Sequence, residues 1–216
     1  MILRRSFYAR QTLDVAKDLI GKVLVHETRA GVTSGVIVEA EAYIGESDPA
    51  CHAAPGPTAR NAPLYGPPGI AYVYLNYGVH YLVNAVTEAE GSPAAILIRA
   101  LEPKDGIPLM RRRRALRRSS GQALRQSSGQ AAGSRTRASE LAVHDLCRGP
   151  GNLTRALGIT LRQNQLDLTK SALRIEDQRE PARAIAWSRR IGITVGVEQP
   201  WRVTAVESAA VSGRRT

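Results

Sequence analysis

Along the chain the apolar positions change period several times. Leu13, Ala16, Leu19 and Ile20 recur at helical spacing, with Thr12 as a suitable N-cap and Gly21 just past the end, which predicts a short amphipathic helix covering a sheet. From Lys22 the period falls to two. KVLVHE, SGVIVEAEAYIG, AYVYLNYGVHYLVNAV and AAILIRALEP are rich in β-branched and aromatic residues and are separated by Gly, Pro and Ser. Four or more such strands predict an antiparallel core. Further on, CRGPGNLTRALGI predicts a loop and a helix starting near Asn152. It is followed by the strand LRIED, a turn near Pro181, the segment ARAIAWSRRIGIT and a last strand WRVTAV. This last third reads as mixed α and β completing the same domain.

Between these halves lies a stretch of different character. Residues 111–139 hold nine Arg and no acid, and SSGQA occurs twice, at 119–123 and 127–131. Too few apolar side chains are present to pack, so residues 117–139 are expected to form a mobile surface loop, whereas 110–116 can extend a helix. Reading the loop as a linker between two domains is less economical, because the C-terminal part has few large apolar residues for a core of its own.

Composition adjusts this picture in three ways. A chain of 216 residues with 43% hydrophobic and 23% charged residues has material for one medium core, which excludes a disordered chain. The net charge of +11 owes nine charges to residues 111–139, so the rest of the chain is nearly neutral at +2. Only four of 30 cations are Lys, and an Arg excess suits bidentate contact with phosphate or carboxylate. No apolar run approaches the ~20 residues of a membrane span, and the start MILRRS lacks a signal-peptide block, so the expectation is a cytoplasmic protein with no membrane partner. Cys51 and Cys147 have neither C-x-x-C spacing nor ligand-spaced partners, so no metal and no cofactor is expected.

Candidate chemistry begins in VIVEAEAYIG. Alternation sends Val36, Val38, Ala40, Ala42 and Ile44 to one face and Ile37, Glu39, Glu41 and Tyr43 to the other. From the strand alone, the acidic face reads as solvated. Six of seven Tyr fall between residues 43 and 81, which that reading does not explain. Tyr72, Tyr74 and Asn76 share a strand face, and Asn76-Tyr77-Gly78 reads as a hairpin turn with Tyr77 exposed at its tip. An aromatic tip beside Arg side chains suits a wedge between stacked bases, and Tyr43 or Tyr74 suits stacking on a planar heterocycle; cross-strand packing is the plainer role. His52 lies in the loop GESDPACHAAPG with nothing nearby to make a metal site. Arg99 is a cation in an otherwise apolar strand and needs a partner, for which Glu41 is a candidate.

Taken in order, Glu39-Ala-Glu-Ala-Tyr43, His52 nine residues on, Tyr72-Val-Tyr-Leu-Asn-Tyr-Gly78, Asn84 and the Arg-Ala-Leu-Glu-Pro run ending at Pro103 resemble the alkyladenine (3-methyladenine) DNA glycosylase family. The resemblance runs from about Leu13 to Val206. It implies an α+β fold, with one mixed domain over 1–216 around a curved antiparallel β-sheet, flanking helices and a protruding β-hairpin. It also implies an activity. A monofunctional glycosylase would flip an alkylated or deaminated purine out of double-stranded DNA and hydrolyse its N-glycosidic bond, acting as a monomer and leaving an abasic site.

The same resemblance assigns roles. Glu41 matches the general base, and Arg99 and the Ile191 carbonyl match groups that hold its water. Tyr43, His52 and Tyr74 match the sandwich around the extruded base, with the Ala50 and His52 backbones at its edge and Asn84 crowding out a guanine amino group. Tyr77 matches the inserted wedge, and Arg60, Tyr72, Val79 and Arg190 are expected at the DNA with it. Val79 departs from relatives with a longer side chain there, and the repeat at 119–131 departs from compact members, its Arg run suggesting added salt-sensitive DNA affinity or a solubilising loop. Absence of Lys between Lys22 and Lys104 argues against Schiff-base chemistry. Two other readings remain: a non-catalytic nucleic-acid-binding module, and a sugar or nucleoside hydrolase using Glu39 and Glu41 as an acid/base pair.

Overall fold

The computed structural model describes residues 1–123 and 141–213. Eight strands form one sheet in which every pairing is antiparallel: β1 (Val23–Thr28), β2 (Gly31–Ile44), β3 (Ala71–Asn76), β4 (His80–Val86), β5 (Ala94–Pro103), β6 (Leu173–Glu176), β7 (Ile185–Ser188) and β8 (Arg202–Ala205). The order is β3-β4-β5-β2-β1-β6, with β8 bridging β2 and β7. The α+β expectation holds, and the strands predicted from period two fall on β1 to β5 with small boundary changes. Strand β2 organises the curl: one edge pairs with β5, while the other pairs with β1 up to Val36 and with β8 over residues 39–41.

Helix α1 (Arg5–Tyr8) leads into α2 (Thr12–Leu19), which packs Val15, Ala16 and Leu19 onto the sheet. Thr12 is the first helical residue and not its cap; its hydroxyl reaches across to Glu88 at 2.6 Å and Thr87 at 2.9 Å. On the same core side lie α3 (Ile107–Ala123), which contributes Met110, and α4 (Pro150–Leu157), which contributes Leu153, Ala156 and Leu157. Helix α4 starts two residues before Asn152, with Pro in the first turn and Gly158 in the left-handed conformation after the last.

Two features depart from the sequence reading. The register of β2 against β5 slips at Val38 and slips back at Arg99, each an extra residue with no partner opposite. Because side-chain direction has period two, the slip exchanges faces: Ile37 joins Ala40 and Ala42 in the main core, whereas Val38 packs with Ala100 and Ala205 on the far side. Helix α3 runs through Ala123, into the segment expected to be a loop; residues 124–139 of that expectation lie outside the described residues.

The arginine run at the start of α3 is largely tied down. Arg111 donates to the Leu141 carbonyl at 2.6 Å, Arg113 to Ala156 in the last turn of α4 at 3.1 Å, and Arg114 to Asp145 at 3.1 Å and to Leu146. These cations stitch α3 to the 141–157 segment by capping carbonyls. Among the described residues no helix is long and apolar enough to cross a membrane.

Entry into α3 depends on Gly106, whose φ is +74° and where an added Cβ would lie 2.2 Å from the Val32 carbonyl oxygen in β2. Gly106→Ala is therefore expected to lower stability by about 2 kcal/mol or more. Urea denaturation measures this, and an unchanged midpoint would show that the approach of α3 to β2 is not constrained there.

Candidate active site

One transverse row of the sheet supplies the floor of a cavity of about 490 Å³. Across β3, β4, β5, β2 and β8, Tyr72 faces Asn84, Asn84 faces Leu97, Leu97 faces Glu41 and Glu41 faces Arg202. Tyr72, Asn84 and Leu97 line the cavity, with Tyr43, Tyr74 and Arg99 nearby. Residues as far apart in sequence as Glu41 and Arg202 thus converge because adjacent strands place partners about 5 Å apart.

At the β2 end of this row both acids are wholly buried, which corrects the expectation of a solvated face. Arg99 at its bulge is held between them: Nε donates to Glu39 Oε1 at 2.8 Å and Nη1 to Glu41 Oε2 at 3.1 Å. Glu39 is otherwise saturated. Its Oε1 also accepts from Arg202 Nε at 2.8 Å and Ser212 Oγ at 2.9 Å, and its Oε2 accepts the Ser212 N–H at 2.6 Å. Burial pushes its pKa up, but Arg99 and Arg202 overcome this and hold it below the usual carboxylate value. Glu41 differs. Its Oε2 accepts from the Tyr43 hydroxyl at 2.9 Å and its Oε1 from the Ile191 N–H at 2.7 Å, yet burial outweighs these and Arg99, so its pKa is raised. Two neighbouring carboxylates therefore have opposite tendencies: the surroundings favour the ionised form of Glu39 and disfavour that of Glu41. This arrangement leaves Glu39 without the freedom that an acid/base partner needs.

An aromatic wall faces the acids. His52 Nδ1 and the Tyr72 hydroxyl are 2.9 Å apart, and the His52 ring meets Tyr74 edge-on with centroids 4.5 Å apart. Burial, followed by the nearby Arg60 cation, lowers the His52 pKa and favours the neutral ring. Tyr72, expected at the DNA, is buried at the base of this wall; Arg60 is exposed with its guanidinium 5.6 Å above the Tyr74 ring. Asn84 is fixed by donating Nδ2 to the Tyr72 carbonyl at 3.0 Å. Beyond the wall the β3–β4 hairpin ends in Tyr77 and Gly78, both at positive φ, closed by the Val79 N–H on Asn76 at 3.0 Å. Tyr77 is 87% exposed and Val79 is exposed beside it.

The largest departure concerns Arg190. It was expected at the DNA, but its side chain is fully buried in a bidentate pair with Asp48, at 2.6 and 2.8 Å. It also donates to the carbonyls of Ala42 and Gly196 and lies over the rings of Tyr43 and Trp201, at 4.7 and 5.0 Å. Asp48 in turn accepts the N–H of Ile44 and of Ala50, so the Ala50 amide is committed within its own loop. One clamp thus holds the loop carrying Ala50 and His52, the ring of Tyr43 and the peptide of Ile191. That peptide meets Glu41 through its N–H. Asp48, Arg202 and Ser212 were not singled out from sequence. Only a charge inside an apolar run offers such a signal, and these three sit in polar or short segments.

Comparison with known proteins finds similar chains. The methylpurine-DNA glycosylase (MPG) family model matches residues 6–209. A protein from Bradyrhizobium diazoefficiens is 46% identical over 200 residues, covering 93% of this chain and 85% of its own. One from Rubrobacter xylanophilus is 47% identical over 200 residues, covering 92% and 91%, and one from Methanocella arvoryzae is 42% identical over 217 residues, covering 99% and 96%. Each carries the name "Putative 3-methyladenine DNA glycosylase".

Removing one member of a buried charge pair leaves the other uncompensated. Arg190→Ala is expected to cost about 3–5 kcal/mol of stability. Chemical denaturation followed by circular dichroism checks this, and a loss below about 1 kcal/mol would mean that the clamp does not hold the two loops.

Proposed function

The chain belongs to the methylpurine-DNA glycosylase family, and on that premise we propose that it excises alkylated purines from double-stranded DNA as a monofunctional, monomeric hydrolase with Glu41 as general base. The substrate class follows the relatives' name: 3-methyladenine, with 7-methylguanine, hypoxanthine and ethenoadenine as further candidates. The observation that carries the reading is the buried Glu41, whose three hydrogen-bonding partners, Tyr43, Arg99 and Ile191, all line the cavity.

A base within a duplex is out of reach, so the damaged nucleotide must leave the stack and enter the cavity. Tyr43, Tyr74 and His52 then offer ring faces to it. A 3- or 7-alkylated purine carries positive charge, which electron-rich Tyr rings attract and which a neutral His52 does not repel. Tyr77 at the rigid tip fills the gap left in the duplex. Hydrolysis forms a bond between the water oxygen and C1′ as the bond from C1′ to the purine nitrogen breaks. The bonding pair departs with the purine, which neutralises a cationic 3- or 7-alkylpurine, and the water proton passes to Glu41; neutral hypoxanthine or ethenoadenine must also take up a proton to leave. Tyr43 and Arg99 occupy Oε2, which leaves Oε1 with the remaining lone pair for that water. Admitting it calls for a small outward movement of the half-exposed Ile191. Arg99 keeps the carboxylate aimed and anionic beside developing positive charge. No lysine lines the cavity among the described residues, in keeping with hydrolysis and without a Schiff base.

Glu41→Gln is expected to slow single-turnover release of 7-methylguanine from duplex DNA by about 10²- to 10⁴-fold while duplex binding persists. Undiminished excision would remove Glu41 from the mechanism. Since only the ionised carboxylate accepts a proton and its pKa is raised, the wild-type rate should fall as pH drops, with a midpoint above the ordinary 4.5. Tyr77 holds a strained φ of +48° that Asn tolerates better, so Tyr77→Asn is expected to keep or slightly raise the melting temperature. The same variant should weaken binding to duplex DNA by about 1–3 kcal/mol. Equal affinity in a gel-shift titration would argue against insertion.

A further inference from the structure

Four buried or nearly buried charges meet beneath the cavity, two acids and two arginines, of which Arg99 lines it and Glu41 bonds to three lining residues. The other two have a consistent geometry. Arg202 lies directly opposite Glu41 in the β2–β8 ladder, but its guanidinium reaches diagonally to Glu39 at 2.8 Å, and its Nη2 donates to the Ser212 carbonyl at 2.9 Å. Ser212 answers with two donors to Glu39, and its hydroxyl oxygen lies 3.3 Å from Arg99 Nη2. Glu39 therefore accepts four hydrogen bonds, is wholly buried and does not line the cavity, while a buried carboxylate held this firmly would be costly if it had no further use.

We propose that Glu39, Arg202 and Ser212 are positioning residues that hold Arg99 in place and fix how much of its positive charge is presented to Glu41. This rests on the reading of Glu41 as general base. Arg99 is shared: what Glu39 neutralises is not available to Glu41, and what Arg202 returns to Glu39 relieves that draw. Without Glu39, Arg99 would belong to Glu41 alone and keep it ionised down to lower pH, as a weak base. Without Arg202, Glu39 would take more of Arg99, and Glu41 would retain its proton to higher pH. The groups facing Glu41 are Arg99 from β5, Glu39 and Tyr43 from β2, Arg202 from β8, Tyr74 from β3 and Arg190 from the segment before β8. Glu39 acts on it both directly, as a like charge that raises its pKa, and through Arg99, whereas Arg202 acts through Glu39. The quartet is neutral as a whole, so a change in either outer member moves Glu41 in a predictable direction.

The test is the acid limb of the single-turnover rate against pH, using a 7-methylguanine duplex, whose cationic base needs no proton to leave. Glu39→Gln is expected to move the limb down by about one pH unit, and Arg202→Met to move it up by a similar amount, with Arg202→Lys restoring it towards wild type. A purely structural role would lower the rate and leave the limb in place. An unmoved limb in folded Glu39→Gln and Arg202→Met overturns the proposal. Should Glu39→Gln fail to fold, the Arg202→Met and Arg202→Lys pair, at the more accessible edge of the cluster, decides it alone. Glu41→Gln separates the two claims. If that variant still excises, the general-base reading falls and this one with it, whereas a dead Glu41→Gln with unmoved limbs refutes only the role of Glu39 and Arg202.

Discussion

A single guanidinium shared by two buried carboxylates is the interaction on which this structure turns. Arg99 cannot stay in an apolar strand without counter-charge, and neither Glu39 nor Glu41 can stay ionised in the interior without Arg99. Each requires the others, so the strands carrying them must keep one register. The paired bulges at Val38 and Arg99 provide it, turning a cation and two acids to one side while Ile37, Ala40 and Ile98 remain in the core. A sheet with uniform alternation would have sent Ile37 into the charged cluster.

From that constraint follows the division of labour in the site. The main core lies on one face of the curled sheet under the helices, and the opposite face holds the cavity and its aromatic wall, closed at one side by the first turn of α4. Because β2 forks between β1 and β8, the second half of β2 meets the C-terminal strands, and this contact brings Ile191, Arg202 and Ser212 to acids 150 to 173 residues earlier. The Asp48–Arg190 clamp serves the adjacent loop in the same manner, with planar guanidinium geometry satisfying a carboxylate, two carbonyls and two rings at once.

Arginine has a different meaning here from the one its abundance suggests. A net charge of +11 with few lysines points outward, to a polyanion. Arg99, Arg190 and Arg202 instead neutralise buried acids, and Arg111, Arg113 and Arg114 cap carbonyls between α3 and the 141–157 segment. The exposed Arg60 at the cavity mouth is placed differently, its cation over Tyr74. Arg-rich composition is thus a poor measure of surface potential when backbone carbonyls and interior carboxylates compete for the same donors.

Local patterns were enough for several elements. Strand period, turn chemistry and β-branched content are properties of a few neighbouring residues, so β5 was legible to its ends and the Tyr77–Gly78 turn to its positive φ. Arg99 could be suspected as partnered because a charge in an apolar run is itself a local anomaly. What the sequence could not determine depended on non-local pairing. Burial of Glu39 and Glu41, the face exchange at Val38, the interior position of Arg190 and the engagement of Ser212 all follow from which strands meet and where the register slips. Desolvation and counter-charge come from residues far away in the chain, and only the tertiary structure brings them together.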